Sequence, residues 1–440
     1  MAHTRIVIIG GGGYKTAPKL LGDILLTKSL NGSTIVLQDT SQDALNTMQK
    51  LAAKMVKKAH SQCKILTTRN REEALNNAHF VIIAINVGGF EALKNDVEIP
   101  LNFGIYQTRA DCVGPGGISR ALRTIPVFID IVKDMERICP DAWLVNFTDP
   151  IPTLCRLVNK TSSIKVFGIG NELAGTVSWL KQILHTKQNP VINLQIGGIN
   201  RLGWILDLKI NREDGFSELR KYIKNEAKQN RKGGGNKGNG QHAIRFELFN
   251  TFGYLPYGDD HGIAEFFPYF LTADTRKGER YGVRPVNLKK VRSEHQARKE
   301  KIERAANSRN PVNFQKSGSE LADIIDTLAS RKEGTFIMNI PNRGSLSNLP
   351  LDAVVEMSCY IKNHRISEPV IEDLPHGLLG IIVPQVIVQE LIMEASLKGS
   401  RKIALQALLL DPLVKNFGTA EKMLDQLLKA HRNMLPQFYG

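Results

Sequence analysis

RIVIIGGGGYKTAPKLLGDILLTKSLNGSTIVLQD, residues 5–39, decides how the rest of the chain is read. The branched apolar run at 6–9 predicts a buried strand, the glycines at 10–13 a turn, residues from about 16 a helix, and residues 34–37 a second strand ending at Asp39. A dinucleotide suits that order. Glycines let backbone N–H groups approach a pyrophosphate, the following helix N-terminus adds partial positive charge, and an acid after the second strand accepts hydrogen bonds from a ribose. Gly10 and Gly12 match G-x-G, while Lys15 stands where a third glycine would complete the pattern. Asp39 follows position 15 by 24 residues, against about 20 in the usual fingerprint. Gly10, Gly12, Gly13 and Asp39 are therefore the expected cofactor-binding residues, and NAD the expected cofactor.

Working outward, helix-like stretches at 41–59 and 71–76 alternate with strand-like stretches at 64–67, 80–85, 143–146 and 164–168. Alternation of this kind implies parallel β-α-β units, an α/β fold with a Rossmann-type sheet. Loops at the carboxyl ends of such strands gather function. Asn86, in the turn after the fourth strand, is expected beside the cofactor. The loop 105–123 concentrates Arg109, Asp111, Arg120 and Arg123, and the fifth strand ends at Asn146 and then Asp149. Beyond residue 190 the alternation loosens into an antiparallel-looking pair (191–196 and 205–210) and a glycine-rich surface loop (232–240). Polar, aromatic turns follow at 245–270, then strands at 334–340 and 353–357, and helices at 384–398 and 419–430. The expected organisation is a Rossmann domain over residues 1–195 and an α+β catalytic domain over 196–440.

Composition narrows the class. At 440 residues and 42% hydrophobic content the chain can bury two cores. It shows no uninterrupted apolar stretch of membrane-spanning length and no basic-then-apolar leader, so no membrane partner and a cytoplasmic location are expected. Five scattered cysteines without a C-x-x-C pair argue against a disulfide framework and a cysteine-only zinc site. The net charge of +15 is concentrated in part at 276–309, a solvated face or subunit-contact arm with no aromatic stacking pattern, so no nucleic-acid partner is expected.

VGPGGISRALRTIPVFIDI (113–131), DAWLVNFTDP (141–150), FGYLPYGDDHGIAEFFPYF (252–270), NLPLDAVVEMSCYI (348–361) and EASLKGSRKIALQALLLDP (394–412) together resemble glycoside hydrolase family 4. The resemblance covers essentially the whole chain and is nearer to the α-glucosidase, α-galactosidase and α-galacturonidase branch. It implies a lactate/malate dehydrogenase-like fold, bound NAD, a divalent metal such as manganese, a small carbohydrate substrate, and a homo-oligomer, dimer or tetramer. It also implies glycoside cleavage by transient oxidation at C3, deprotonation at C2 and elimination, outside the two-carboxylate scheme of most glycosidases. Carried over by position, Asn146 falls near nicotinamide and substrate, Asp111 precedes the G-P-G-G block, and Tyr254 is the candidate C2 base. Arg201 and Asn171 join Tyr254 and Asp111 as catalytic candidates, while Asp149, Arg109, Asp260 and His261 are substrate-side candidates.

The chain departs from that family where the metal should sit. The family takes its ligands from a cysteine in a G-x-C turn and a histidine in an I-N-H block; here the corresponding residues are Gly170 and Arg201. Glycine has no ligand atom and arginine is a permanent cation. Asp149 also replaces an asparagine. Three readings follow: a metal-independent NAD glycosidase in which Arg201 supplies the fixed positive charge; an NAD-dependent dehydrogenase of a sugar or hydroxy acid in which Arg201 grips a carboxylate; or a non-catalytic NAD- or sugar-binding protein.

Overall fold

The computed structural model describes residues 4–170, 172–184, 190–232, 242–330, 332–371 and 373–439. Six strands build the expected parallel sheet: β1 (Arg5–Ile9), β2 (Thr34–Gln38), β3 (Lys64–Thr68), β4 (Phe80–Ile83), β5 (Trp143–Asn146) and β6 (Lys165–Gly168). β1 and β4 are RIVII and FVII, apolar and buried along almost their whole length, as strands covered by helices on both faces must be. Their order is 3-2-1-4-5-6, so the chain reverses direction between β1 and β4 and opens a crevice at their carboxyl ends.

The second half adds a hairpin, β7 (Ile192–Ile199) and β8 (Leu202–Ile210), with β9 (Glu213–Asp214) and β10 (Leu255–Pro256) paired to β8 in a smaller sheet. The antiparallel pair expected here is present, with longer strands than the sequence suggested. β11 (Gly334–Pro341), β12 (Val354–Lys362) and β13 (Arg365–Ser367) then return to the first sheet. β11 pairs antiparallel with β6 through Asn339 and Gly168, making nine strands in all.

Three local readings change. The fourth strand stops at Ile83, and an unanticipated helix, Gly89–Asn102, follows its turn. The helix expected to start at Pro384 starts at His376 and runs to Lys398 with Pro384 inside it; the pyrrolidine ring projects back toward the preceding turn, where Gly380 has open space around it. Unbroken, this helix is long and apolar enough to cross a membrane. It instead buries Leu378, Ile382, Val386 and Ile392 within the protein core. Of the loop expected at 232–240, Lys232 closes the helix Gly215–Lys232 and the remainder lies outside the described residues.

Candidate active site

The glycine turn closes on the second strand. Gly10 (φ +88°) and Gly11 both donate to the Gln38 carbonyl at 2.9 Å. A Cβ on Gly10 would lie 2.3 Å from the Ala84 carbonyl oxygen at the end of β4, so only glycine permits this approach. Asp39 accepts from Gly12 N–H at 2.9 Å and Ser41 N–H at 3.0 Å, which holds its carboxylate on the rim of the turn. Gly13 N–H bonds back to Gly10. The N–H groups of Tyr14, Lys15 and Thr16, just ahead of the helix Ala17–Leu25, reach no protein acceptor among the described residues. Three open donors at a helix start fit a pyrophosphate. The Asn86 carbonyl, accepting from Gly89 N–H at 3.1 Å, shapes the facing turn. Across the lip runs the basic helix Leu288–Asn307, exposed on its outer side, with His295 edge-on to Tyr14 and Lys54 holding its end at the Ala305 carbonyl. Burial, with Arg298 nearby, pushes the Lys15 ammonium below its ordinary pKa.

Arg201 forms the centre of the substrate side. It is the second residue of the two-residue turn between β7 and β8 and adopts φ +67°, a conformation that costs a residue with a Cβ. Its side chain compensates: Nη2 donates to Asp111 Oδ2 at 3.2 Å and Asp149 Oδ2 at 3.1 Å, while Nε lies 3.9 Å from Glu172 Oε1. Burial opposes the guanidinium charge, but Asp111, Cys112, Asp149 and Glu172 outweigh it and hold the proton more tightly than usual. Burial likewise opposes the Asp149 charge, and Arg201, Arg120 and Arg109 outweigh it, keeping that carboxyl below its ordinary pKa. Asp149 also accepts from the Cys112 thiol at 3.2 Å. Three buried polar atoms of this cluster have no hydrogen-bond partner among the described residues: Arg201 Nε, Asp111 Oδ1 and Arg109 Nε.

A hidden carboxylate sets the loop that carries Asp111. Glu265, 1% exposed, accepts from the N–H groups of Thr108 (2.6 Å), Arg109 (2.8 Å) and Ala110 (3.1 Å). Burial, reinforced by Asp111, pushes its pKa from 4.5 up to about 7 despite those donors. Because the folded value exceeds the unfolded one, the native state binds the extra proton between pH 4.5 and about 7. Glu265 therefore contributes stability fully present below 4.5 and lost as pH rises through about 7. Glu265→Gln is expected to flatten the pH dependence of unfolding free energy by up to about 3 kcal/mol across that window. Denaturant unfolding of both proteins at pH 5 and pH 8 checks this, and equal slopes would contradict it.

The other candidates separate by environment. Arg109 is paired with Asp259, whereas both Asp260 oxygens accept from the N–H groups that open the helix Ala243–Phe252, Ile244 at 3.0 Å and Arg245 at 3.3 Å. The His261 carbonyl anchors Thr108 Oγ1. Asn146 is fully buried and folds the next turn, accepting from Thr148 N–H at 2.8 Å and donating to the Thr148 carbonyl. Tyr254 leads into β10 and packs, half-buried, against both apolar clusters. Its neighbour Tyr257 is the tyrosine that enters the polar interior, donating to Glu356 Oε2 at 2.7 Å; burial and Glu356 raise its phenol well above the ordinary value. Asn171 lies outside the described residues.

The metal expected from the resemblance does not fit. The two positions that should supply cysteine and histidine do converge, since a Cβ on Gly170 would sit 3.0 Å from Glu172 Oε2, whose other oxygen faces Arg201. But that Cβ would also lie 2.5 Å from Glu356 Oε1 and 2.6 Å from Asn200 Nδ2, leaving no room for a thiolate, and the guanidinium already occupies the space between the carboxylates. No three His, Cys, Asp or Glu side chains among the described residues form a metal-binding group.

Family models match both halves: residues 5–186 fit the family 4 glycosyl hydrolase domain and residues 196–414 its C-terminal domain. The chain belongs to glycosyl hydrolase family 4. Among its family 4 relatives, the α-galactosidase of Bacillus subtilis (strain 168) is 31% identical over 444 residues, covering 99% of each chain. The Bacillus subtilis lplD crystal structure, described as a glucosidase, superposes with a TM-score of 0.87 at 27% identity over 97% of this chain and 100% of that one. A 6-phospho-β-glucosidase of Thermotoga maritima, solved with manganese, NAD+ and glucose-6-phosphate, shares the fold (TM-score 0.82, 23% identity, 98% and 99% covered). The expected α/β fold and family assignment are thereby established, including the glycosidase class of the relatives.

Proposed function

We propose that the protein is an NAD-dependent glycoside hydrolase that works without a divalent metal, Arg201 providing the fixed positive charge. The observation that carries this reading is the trio of buried atoms beside the dinucleotide crevice that lack a hydrogen-bond partner among the described residues. Asp111 Oδ1 can accept from a sugar hydroxyl, and Arg201 Nε and Arg109 Nε can donate to sugar oxygens, so a polyol would satisfy what the protein leaves open. Gly10, Gly12, Gly13, Asp39 and the N–H groups of residues 14–16 would hold NAD, which supplies transient oxidation of the sugar at C3 and so acidifies the C2 hydrogen.

Arg201 then favours negative charge developing on the C2 and C3 oxygens, as a preorganised cation does in a site shielded from water. Tyr254 is the proposed C2 base. Asp149 and Asp111 fix the guanidinium, Glu265 fixes the loop bearing Asp111, and Asn146 fixes the turn bearing Asp149. A dehydrogenase using Arg201 to grip a substrate carboxylate gains less support, because three carboxylates already surround that guanidinium.

Incubation with NAD+ and aryl α- and β-glycosides or uronides, with EDTA or added Mn2+, tests the proposal. Aglycone release without net NADH, unchanged by EDTA, is expected. NADH accumulating in proportion to substrate would indicate the dehydrogenase, and activity dependent on manganese would remove the role given to Arg201.

A further inference from the structure

A cavity of about 610 Å³ opens at the amino ends of β5 and β6, the end of the sheet opposite the cofactor crevice. Its origin is local. β11 meets β6 at a single pair, Asn339 and Gly168. Two residues further along, where Val166 would find its partner, stands Pro341, which has no N–H to continue the ladder. The strands part there, and Ile340 and Pro341 line the cavity from one side, Ile164 and Val166 from the other. Its volume falls in the range of about 300–1,000 Å³ that small ligands occupy.

The lining is basic. Lys165, Arg343 and Arg365 stand there against one carboxylate, Glu368. Arg343 Nη1 engages Glu368 at 3.0 Å, whereas among the described residues neither Lys165 nor Arg365 has a carboxylate partner. Lys165 Nζ lies instead 5.7 Å from the ring centroid of Trp143, whose half-buried indole is also part of the lining. The side-chain amide of Asn159, half-buried beside it, makes no hydrogen bond among the described residues either. Backbone conformation adds an independent sign. Arg343 (φ +46°) and Gly344 (φ +93°) are the central residues of a turn closed by Ser345 N–H on the Asn342 carbonyl at 2.8 Å. Asparagine or glycine usually opens a turn of this hand, so a long cationic side chain is held there against its backbone preference. A second turn of the same hand, Asn363 and His364 (φ +50° and +63°), brings Arg365 to the cavity.

We propose that this cavity is a second binding site, separate from the crevice, for a small phosphomonoester that carries a ring. Lys165 and Arg365 meet the phosphate, and the guanidinium suits it because its N–H groups match two phosphate oxygens at once. Trp143 offers the ring an apolar surface, and the Asn159 amide can both donate to and accept from polar atoms on that ring. A nucleoside monophosphate and a sugar phosphate share this chemistry. No bond is made or broken at the site, so the proposal stands apart from the reaction assigned to the crevice.

Calorimetric titration of the protein saturated with NAD+, which keeps AMP out of the crevice, tests the site with AMP, ribose 5-phosphate and inorganic phosphate as probes. One of the two esters is expected to bind saturably and at least about tenfold more tightly than inorganic phosphate. AMP ahead of ribose 5-phosphate identifies a nucleotide site, and the reverse order a sugar phosphate site. Lys165→Glu combined with Arg365→Glu should weaken that ester by about a hundredfold. Both side chains are exposed, so the reversal leaves the core untouched. Trp143→Leu should weaken it by about tenfold. Binding of neither ester overturns the proposal, as does inorganic phosphate binding equally well, which would mean an adventitious ion only. An ester whose affinity survives the double charge reversal also overturns it, because such a ligand sits elsewhere, the crevice included.

Discussion

Arg201→Met is expected to abolish glycoside cleavage, lowering kcat/KM by about a thousandfold or more, equivalent to about 4 kcal/mol of transition-state stabilisation. The methionine keeps the aliphatic stem and removes the charge and the donors to Asp111 and Asp149, so Asp111, Asp149 and Glu172 would face one another without a cation. Breaking a buried ion pair from one side costs about 3–5 kcal/mol of stability. A fall in melting temperature should therefore accompany the fall in rate. Aglycone release and thermal unfolding, measured on the same preparation, check both, and activity within tenfold of wild type would refute the role of the guanidinium. Arg201→His adds a reciprocal result: an imidazole among three carboxylates offers a divalent metal nitrogen and oxygen ligands, so this variant should gain a manganese response that the wild type lacks. Pairing it with Gly170→Cys, attractive from sequence alone, should fail, because the new Cβ would fall 2.5 Å from Glu356 Oε1.

A comparable loss of stability is expected at Arg123. Its guanidinium holds Asp96 through two bonds, 3.0 and 2.6 Å, and its Nε donates to the Val87 carbonyl at 3.0 Å, in the turn that faces the glycine loop. His431 Nε2 meets the same Asp96 at 3.0 Å, tying the C-terminal segment to the network. Asp96 and Arg123 have 1% side-chain exposure each. Arg123→Met would strand a buried carboxylate and should cost about 3–5 kcal/mol. NAD affinity should weaken with it, since the Val87 turn loses its anchor. Adding Asp96→Leu removes the stranded charge, so the double variant should be more stable than Arg123→Met alone. Chemical denaturation of the two variants decides the point, and a double variant less stable than the single would contradict it.

The parallel sheet was legible because its strands are short apolar runs and its turns are glycines, signals that need no knowledge of tertiary contacts. The long helix through Pro384 was not, because a proline reads locally as a start or a stop, whereas packing against the core decides that the helix continues. In the site, Arg201 and Asp149 could be paired from sequence as a reciprocal charge swap, and they stand 3.1 Å apart. Glu265 and Glu356 escaped notice for a different reason. Each lies in an apolar stretch, AEFFPYF or VVEMSCY, where a lone acid looks incidental, and each takes its meaning from partners over 80 positions away in sequence, Thr108 and Tyr257. An acid embedded in hydrophobic sequence was the available signal. Asp260 and Asn146 show the converse: acid and amide alike sit beside site residues, but their hydrogen bonds are committed to shaping the backbone.

The antiparallel join of β11 to β6 has a mechanical consequence. The crevice lies at the carboxyl ends of strands from the first half, and Glu356 rides on a strand from the second, within the same hydrogen-bonded sheet. Parting the halves like a clamshell would tear that ladder, so access for sugar and cofactor falls to the loops and the basic helix at the rim. Cofactor crevice and the buried Glu356 thus share a common girder, and their spacing is set when the chain folds, before any substrate arrives.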